Sequence, residues 1–191
     1  MIHPHKLNAG DRVAAVSLSW GGPGTFPHRY AEGKRQLESQ FGVEVVETAH
    51  ALRDAEWLYQ NPQARAEDLM TAFADPRIKA IFCTIGGEDS IRLIPFLDLD
   101  VMAANPKIFM GMSDSTVSHL ACHKAGLISF YGPAIMTAFA ENGGMSPYVV
   151  NSIRRSIFSP APIGAIQCCS EGWTDELLDW TNAENQSRAR K

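Results

Sequence analysis

Apolar and polar positions along this chain follow two alternating rhythms. Asp11 to Ser19 (DRVAAVSLS), Lys79 to Ile85 (KAIFCTI) and Lys107 to Met112 (KIFMGM) are short runs, mostly apolar and rich in β-branched or aromatic residues, as buried strands are. Val43 to Thr48 and Leu127 to Tyr131 are shorter runs of the same kind. Between them lie stretches with helical spacing. From Pro27 to Phe41, Tyr30, Leu37 and Phe41 recur near a helical period amid Lys34, Arg35 and Glu38, and Gly42 stands where a helix would stop. Pro62 to Ala74, Asp89 to Leu97 and Ser115 to Lys124 read as further helices. Ser146-Pro147 opens another, with serine as N-cap and proline in the first turn, running to about Phe158. Apolar strands separated by helix-length segments predict an α/β fold, an open and mostly parallel sheet with helices on both faces.

The pattern fades toward the C-terminus. Ser159 to Pro162 (SPAP) ends the last helix, Ile163 to Cys168 is strand-like, and Thr181 to Lys191 (TNAENQSRARK) is polar enough to read as a linker. The expected organisation is an N-terminal α/β domain over 1–165, followed over 166–191 by a linker or the start of a further domain.

Composition narrows the class. With 191 residues, 45% hydrophobic and 20% charged, the chain can bury a substantial core. A net charge of -4 without a basic stripe argues against a nucleic-acid partner, because neutralising phosphates takes clustered Lys and Arg. No apolar run reaches the length of a membrane span or a signal sequence, so the expected location is the cytoplasm, away from membranes. Cys83, Cys122, Cys168 and Cys169 lack CxxC spacing and are expected to be buried, with no catalytic role. Neither a metal nor a cofactor is expected. Asp98 and Asp100 form an isolated acidic pair better suited to capping than to a cation.

The sharpest chemical feature is Gly111-Met112-Ser113-Asp114-Ser115-Thr116, where a strand gives way to a helix. A serine on such a turn can project its hydroxyl above the sheet edge, with the following backbone N–H groups facing an incoming carbonyl oxygen. Gly111 keeps the turn uncrowded, while Ser115 replaces the second glycine of the usual nucleophile elbow. The same serine would equally serve as the N-cap of the following helix. Ile85-Gly86-Gly87-Glu88-Asp89-Ser90 follows the preceding strand, and in an open parallel sheet both loops lie on the ligand-collecting edge. Amides of Gly86 or Gly87 together with that of Asp114 would then form an oxyanion hole. A plain turn or an anion-binding nest also accounts for the paired glycines. His28 and His50 approach the same edge. His119 and His123 lie roughly 9 and 15 Å along the helix axis from Ser113 at about 1.5 Å rise per residue, beyond its reach.

Taken in order, Ser17-Leu18-Ser19-Trp20-Gly21-Gly22-Pro23, Thr84 to Ser90, Asn105-Pro106-Lys107, Gly111 to Thr116 and Phe130-Tyr131-Gly132-Pro133 resemble the N-terminal domain of LD-carboxypeptidases and microcin immunity proteins. The Ile-Gly-Gly-Glu-Asp-Ser version and Trp173-Thr174-Asp175-Glu176 are more similar to the immunity branch. The resemblance implies a flavodoxin-like nucleophile domain and a Ser-Glu-His triad in which Ser113 attacks. The glutamate and histidine would come from a C-terminal catalytic domain beyond Lys191, absent from these residues. It further implies the oxyanion hole at Asp114, Gly86 and Gly87, and a homodimer. Glu88 and Asp89 after the paired glycines, and Trp173 with Trp180 near the linker, are candidate substrate contacts, and core packing accounts for the tryptophans equally well. Implied substrates are short peptides, either peptidyl or aminoacyl nucleotides of the microcin type or murein L,D-peptides. Where Met112 stands the family usually carries a different residue, often tyrosine or phenylalanine, a departure that leaves the nucleophile in place. The competing expectation is a non-catalytic module that binds a nucleotide or peptide at the same strand edge.

Overall fold

The computed structural model describes residues 1–170 and 172–191. Five parallel strands form one sheet: β1 (Arg12–Val16), β2 (Glu44–Glu47), β3 (Ile78–Cys83), β4 (Ile108–Gly111) and β5 (Phe130–Tyr131), in the order β2-β1-β3-β4-β5. Side chains alternate between the faces along each strand, and both faces are buried. Val13, Ala15, Phe82 and Met110 join one core, while Ala14, Val16, Ile81 and Phe109 join the other. Helices α2 (Pro27–Phe41) and α7 (Pro147–Ile157) cover the first face through Leu37, Phe41, Ile153 and Ile157. Helices α4 (Pro62–Ala74), α5 (Leu99–Ala104) and α6 (Thr116–Lys124) cover the second through Leu69, Phe73, Met102 and Cys122. This is the doubly wound, flavodoxin-like arrangement, and the strand order reverses between β1 and β3.

The two strongest helical patterns run over Pro27–Phe41 and Pro62–Ala74, as expected, and Gly42 closes the first with φ +70°. Other elements shifted for visible reasons. The expected first strand stops at Val16, because Ser17 turns its hydroxyl to Ala51 O and Thr84 Oγ1. The segment after β3 is a 3-10 helix, Ser90–Phe96, in which Pro95 lacks the N–H that an α-helix would need. The fifth strand holds two residues, since Leu127 and Ile128 pair with Ile2 instead. Short helices α1 (Gly22–Thr25) and α3 (Ala55–Gln60), together with α5, form where the pattern predicted no element. Asp54 and Asp98 cap the last two, so the acidic pair serves a helix.

No strand forms over Ile163 to Cys168, and Cys168 and Cys169 are exposed rather than buried. The polar C-terminal residues lie against the domain. Trp180 covers the guanidinium of Arg29 at 4.0 Å, Asn142 donates to Asn185 O, and Arg190 grips Glu141 with two hydrogen bonds. Lys107, from the Asn-Pro-Lys motif, donates to Ala72 O and Asp75 O at the end of α4, fastening that helix to the start of β4. No helix among the described residues is long and apolar enough to cross a membrane.

Candidate active site

Where β4 ends, the backbone makes a turn that only one residue outside glycine makes among those described. Ser113 has φ +61°, the left-handed region that costs an L-residue about 1–2 kcal/mol. Its side chain is exposed, and its hydroxyl has no hydrogen-bond partner among the described residues. Its amide donates to the phenol oxygen of Tyr131 at 2.9 Å. After it the chain tightens into a single 3-10 turn, Ser113–Ser115, and enters α6. Strain of this kind persists only where the surroundings over-determine it.

Those surroundings are packed too closely for larger residues. A Cβ on Gly111 would stand 2.6 Å from Ser115 Oγ and 2.7 Å from Cys83 Sγ, so the glycine two residues before the serine is a packing requirement. Ser115, at φ -61°, has no need of glycine's freedom, and its hydroxyl donates back to Met112 O at 2.8 Å. Burial pushes the Cys83 thiol up to about 12 against the opposing Ser115 hydrogen bond, which leaves it a packing residue.

The paired-glycine bend reaches the elbow. A Cβ on Gly86 would lie 2.9 Å from Ser113 Cβ and 3.2 Å from its Oγ. Among the described residues no acceptor takes the amides of Gly86, Gly87 or Asp114. The amides of buried Gly86 and of half-buried Gly87 and Asp114 therefore remain unpaired in the two loops that meet at Ser113.

Charged groups beneath this surface are engaged in holding it. One oxygen of Asp114 accepts from Ser19 Oγ at 2.5 Å and from the Ser90 amide at 2.8 Å, while Ser90 Oγ donates to Asp114 O at 2.7 Å. That clasp joins the loops after β1, β3 and β4. Below it Arg65 of α4, fully buried, donates to Leu18 O, Ser19 O and both carboxylate oxygens of Asp89. Asp89 also pairs with Arg92, so it is a wall brace more than a free charge. Glu88 is exposed and pairs with no cation among the described residues.

The elbow opens into a cleft of about 660 Å³ lined by Trp20, Tyr59, Ile85, Met112 and Thr137, together with Ser19, Ala55 and Gly86 to Asp89. Trp173 lies elsewhere, 87% exposed on a separate cleft beside Glu141 and Arg190. No histidine lines the first cleft among the described residues. His119 sits behind the elbow, its ring nitrogens bonded to Ser129 Oγ and Gly111 O, and burial lowers its pKa. His50 is bonded to Asp68 and stacked on Trp57, and no group of three or more metal-ligating side chains occurs among the described residues.

The sequence reading missed Tyr131, Ser19, Ser90 and Arg65 as parts of this site. Arg65 left a trace: it falls in phase with the buried residues Ala66, Leu69 and Ala72 of α4, where a charge has no place unless it is paired.

A strained, exposed serine at the end of a central strand of a doubly wound sheet has the shape of a nucleophile elbow. The profile of the LD-carboxypeptidase N-terminal domain, peptidase family S66, matches residues 13–132, and the chain belongs to that family. It is 31% identical to the microcin C7 self-immunity protein MccF of Escherichia coli over 94% of this chain and 54% of that protein. A candidate carboxypeptidase of Vibrio cholerae is 34% identical over 94% of this chain and 54% of its own length. Among solved structures, the apo form of MccF superposes with a TM-score of 0.82 at 29% identity, covering 100% of this chain and 57% of that one. An MccF-like protein of Streptococcus pneumoniae in complex with AMP gives 0.73 at 33% identity, covering 80% and 46%. The chain thus spans about half the length of the relatives it matches.

Proposed function

We propose that this chain carries the nucleophile of a serine carboxypeptidase, with Ser113 attacking an amide carbonyl of a short peptide or aminoacyl nucleotide. The observation that carries this reading is the left-handed Ser113, its hydroxyl free and the Gly86 bend packed against it. In the reaction, the Ser113 oxygen bonds to the carbonyl carbon and its proton passes to a base. The amides of Asp114 and of Gly86 or Gly87 receive the oxyanion. Collapse of the tetrahedral intermediate expels the amine, which takes the proton, and water then releases the acyl group.

Both ring nitrogens of His119 are occupied, and no histidine reaches the cleft among the described residues. Membership of the LD-carboxypeptidase family implies a Glu-His pair to move this proton, and without such a pair the cleft would bind a substrate without turning it over. Glu88, the unpaired carboxylate of the cleft, suits a substrate ammonium, and Trp20 and Tyr59 suit an aromatic or nucleobase portion. MccF has been solved with AMP and with aspartyl sulfamoyl adenosine, which supports aminoacyl nucleotides over murein peptides as the substrate class. Trp173 could contribute to this cleft only after the segment that carries it moves. A cytoplasmic homodimer belongs to the same reading, and sedimentation of the encoded protein checks the dimer.

The deciding experiment treats the protein as encoded, and the 191-residue chain, with a fluorophosphonate. Labelling mapped to Ser113 and lost in Ser113→Ala supports the hydrolase. Absence of labelling in both forms, with AMP still binding by calorimetry, leaves the non-catalytic binding module.

A further inference from the structure

Tyr131 is 64% exposed at the end of β5, yet among the described residues it is the only side chain that takes the amide of the strained serine. Its position is fixed from two sides. In the β4–β5 ladder Tyr131 stands opposite Gly111, and the next amide, Gly132, donates to Gly111 O at 3.0 Å. Its ring rests against His119 with centroids 5.6 Å apart, and His119 is tethered to Ser129 and to Gly111 O. The phenol oxygen therefore arrives at the Ser113 amide from a braced ring.

An amide in the left-handed conformation has left the ladder and must find another acceptor. Other amides around the elbow are used differently. Ser115 donates to Met112 O and Asp114 stays free, whereas Ser113 is taken by a side chain from the neighbouring strand. Tyr131 does not line the cleft, so it meets the serine from the far side.

We propose that Tyr131 is a positioning residue for the nucleophile, latching Ser113 in its left-handed conformation through the backbone amide and so aiming the hydroxyl at the oxyanion-binding amides. The proposal rests on the reading of Ser113 as nucleophile, but its geometric half can be tested without it. The phenol acts by accepting one hydrogen bond and moves no proton.

The test compares Tyr131→Phe, which removes only the oxygen, with Tyr131→Leu, which also removes the ring from His119. Two readouts are taken on the encoded protein: hydrogen exchange of the Ser113 amide, and the maximal rate at which a fluorophosphonate phosphonylates Ser113, with loss of fluoride, at saturating probe. In Tyr131→Phe both are expected to move by about tenfold, exchange faster and phosphonylation slower, the scale of one lost hydrogen bond. The probe concentration for half-maximal rate should stay within about twofold and Tm within about 3 °C, as a latch outside the core requires. Unchanged exchange in Tyr131→Phe overturns the latch. A loss of rate that appears only in Tyr131→Leu assigns the effect to ring packing and also overturns it. If the wild-type protein never labels at Ser113, the nucleophile reading falls, while the exchange measurement still decides the latch.

Discussion

The two edges of the sheet use their polar groups in opposite ways. At the amino ends of the strands charged groups pair with one another or tie elements together. Arg12 pairs with Glu44 across β1 and β2, Arg77 pairs with Asp75 before β3, and Lys107 ties the end of α4 to β4. At the carboxyl ends, Glu88 apart, the charges near the elbow sit one layer down, in the Arg65–Asp89 pair and the Ser19–Asp114–Ser90 clasp. Above them, among the described residues, the amides of Gly86, Gly87 and Asp114 and the Ser113 hydroxyl have no partner. One edge uses its donors within the fold, and the other leaves donors unpaired around a strained serine.

Substitutions can break or sharpen this contrast. Arg65→Met should have the largest effect, a loss of about 3–5 kcal/mol in chemical denaturation, because it strands two carbonyls in the interior and leaves the half-buried Asp89 carboxylate with Arg92 alone. Removing both charges in Arg65→Met with Asp89→Leu should recover more than half of that loss. No recovery would mean that the arginine acts by packing alone.

Gly86→Ala comes next. The added methyl cannot fit 2.9 Å from Ser113 Cβ, so the elbow must shift, and Ser113 labelling should fall about 100-fold, or about 2.7 kcal/mol in barrier. Thermal unfolding should change far less than after Arg65→Met. Labelling near the wild-type rate would show that the bend and the serine do not share a site.

At the other edge, Lys107→Met should cost about 1–3 kcal/mol by leaving carbonyls of the α4 terminus unpaired, and should leave Ser113 labelling unchanged. Burial lowers the Lys107 pKa from 10.5 to about 8. Between those two values the unfolded chain holds a proton that the folded protein has released, so this group's contribution to stability rises with pH across that window and is lost as pH falls toward 8. Denaturation midpoints of wild type and Lys107→Met, taken at pH 7.5 and at pH 10, should differ by less at the lower pH for this reason. The smallest effect belongs to Arg12→Ala. Its pair with Glu44 is solvent-exposed, and such pairs contribute about 0–1 kcal/mol, reduced further by salt.

Sequence alone determined the parts of this protein that depend on neighbours along the chain. The strand runs, the helices Pro27–Phe41 and Pro62–Ala74, the Gly42 stop and the Ser146 cap follow from local periodicity and capping chemistry, which need no distant partner. Gly111-Met112-Ser113 and the Gly86-Gly87 pair were legible for the same reason, as turns at strand ends. Their convergence was not. Ser113 and Gly86 are 27 positions apart, and only the parallel register of β3 with β4 sets them in contact. Tyr131 on Ser113, Arg65 under Asp89, and the clasp from Ser19 to Ser90 through Asp114 likewise join residues from separate elements. Tertiary structure also decided that Leu127 would pair with Ile2 instead of extending β5, and that the polar C-terminal residues would settle on Arg29 and Glu141. A hydrogen bond across the fold forms only when two independently placed backbones bring its groups within about 3 Å, and periodicity along one segment carries no record of where another will lie.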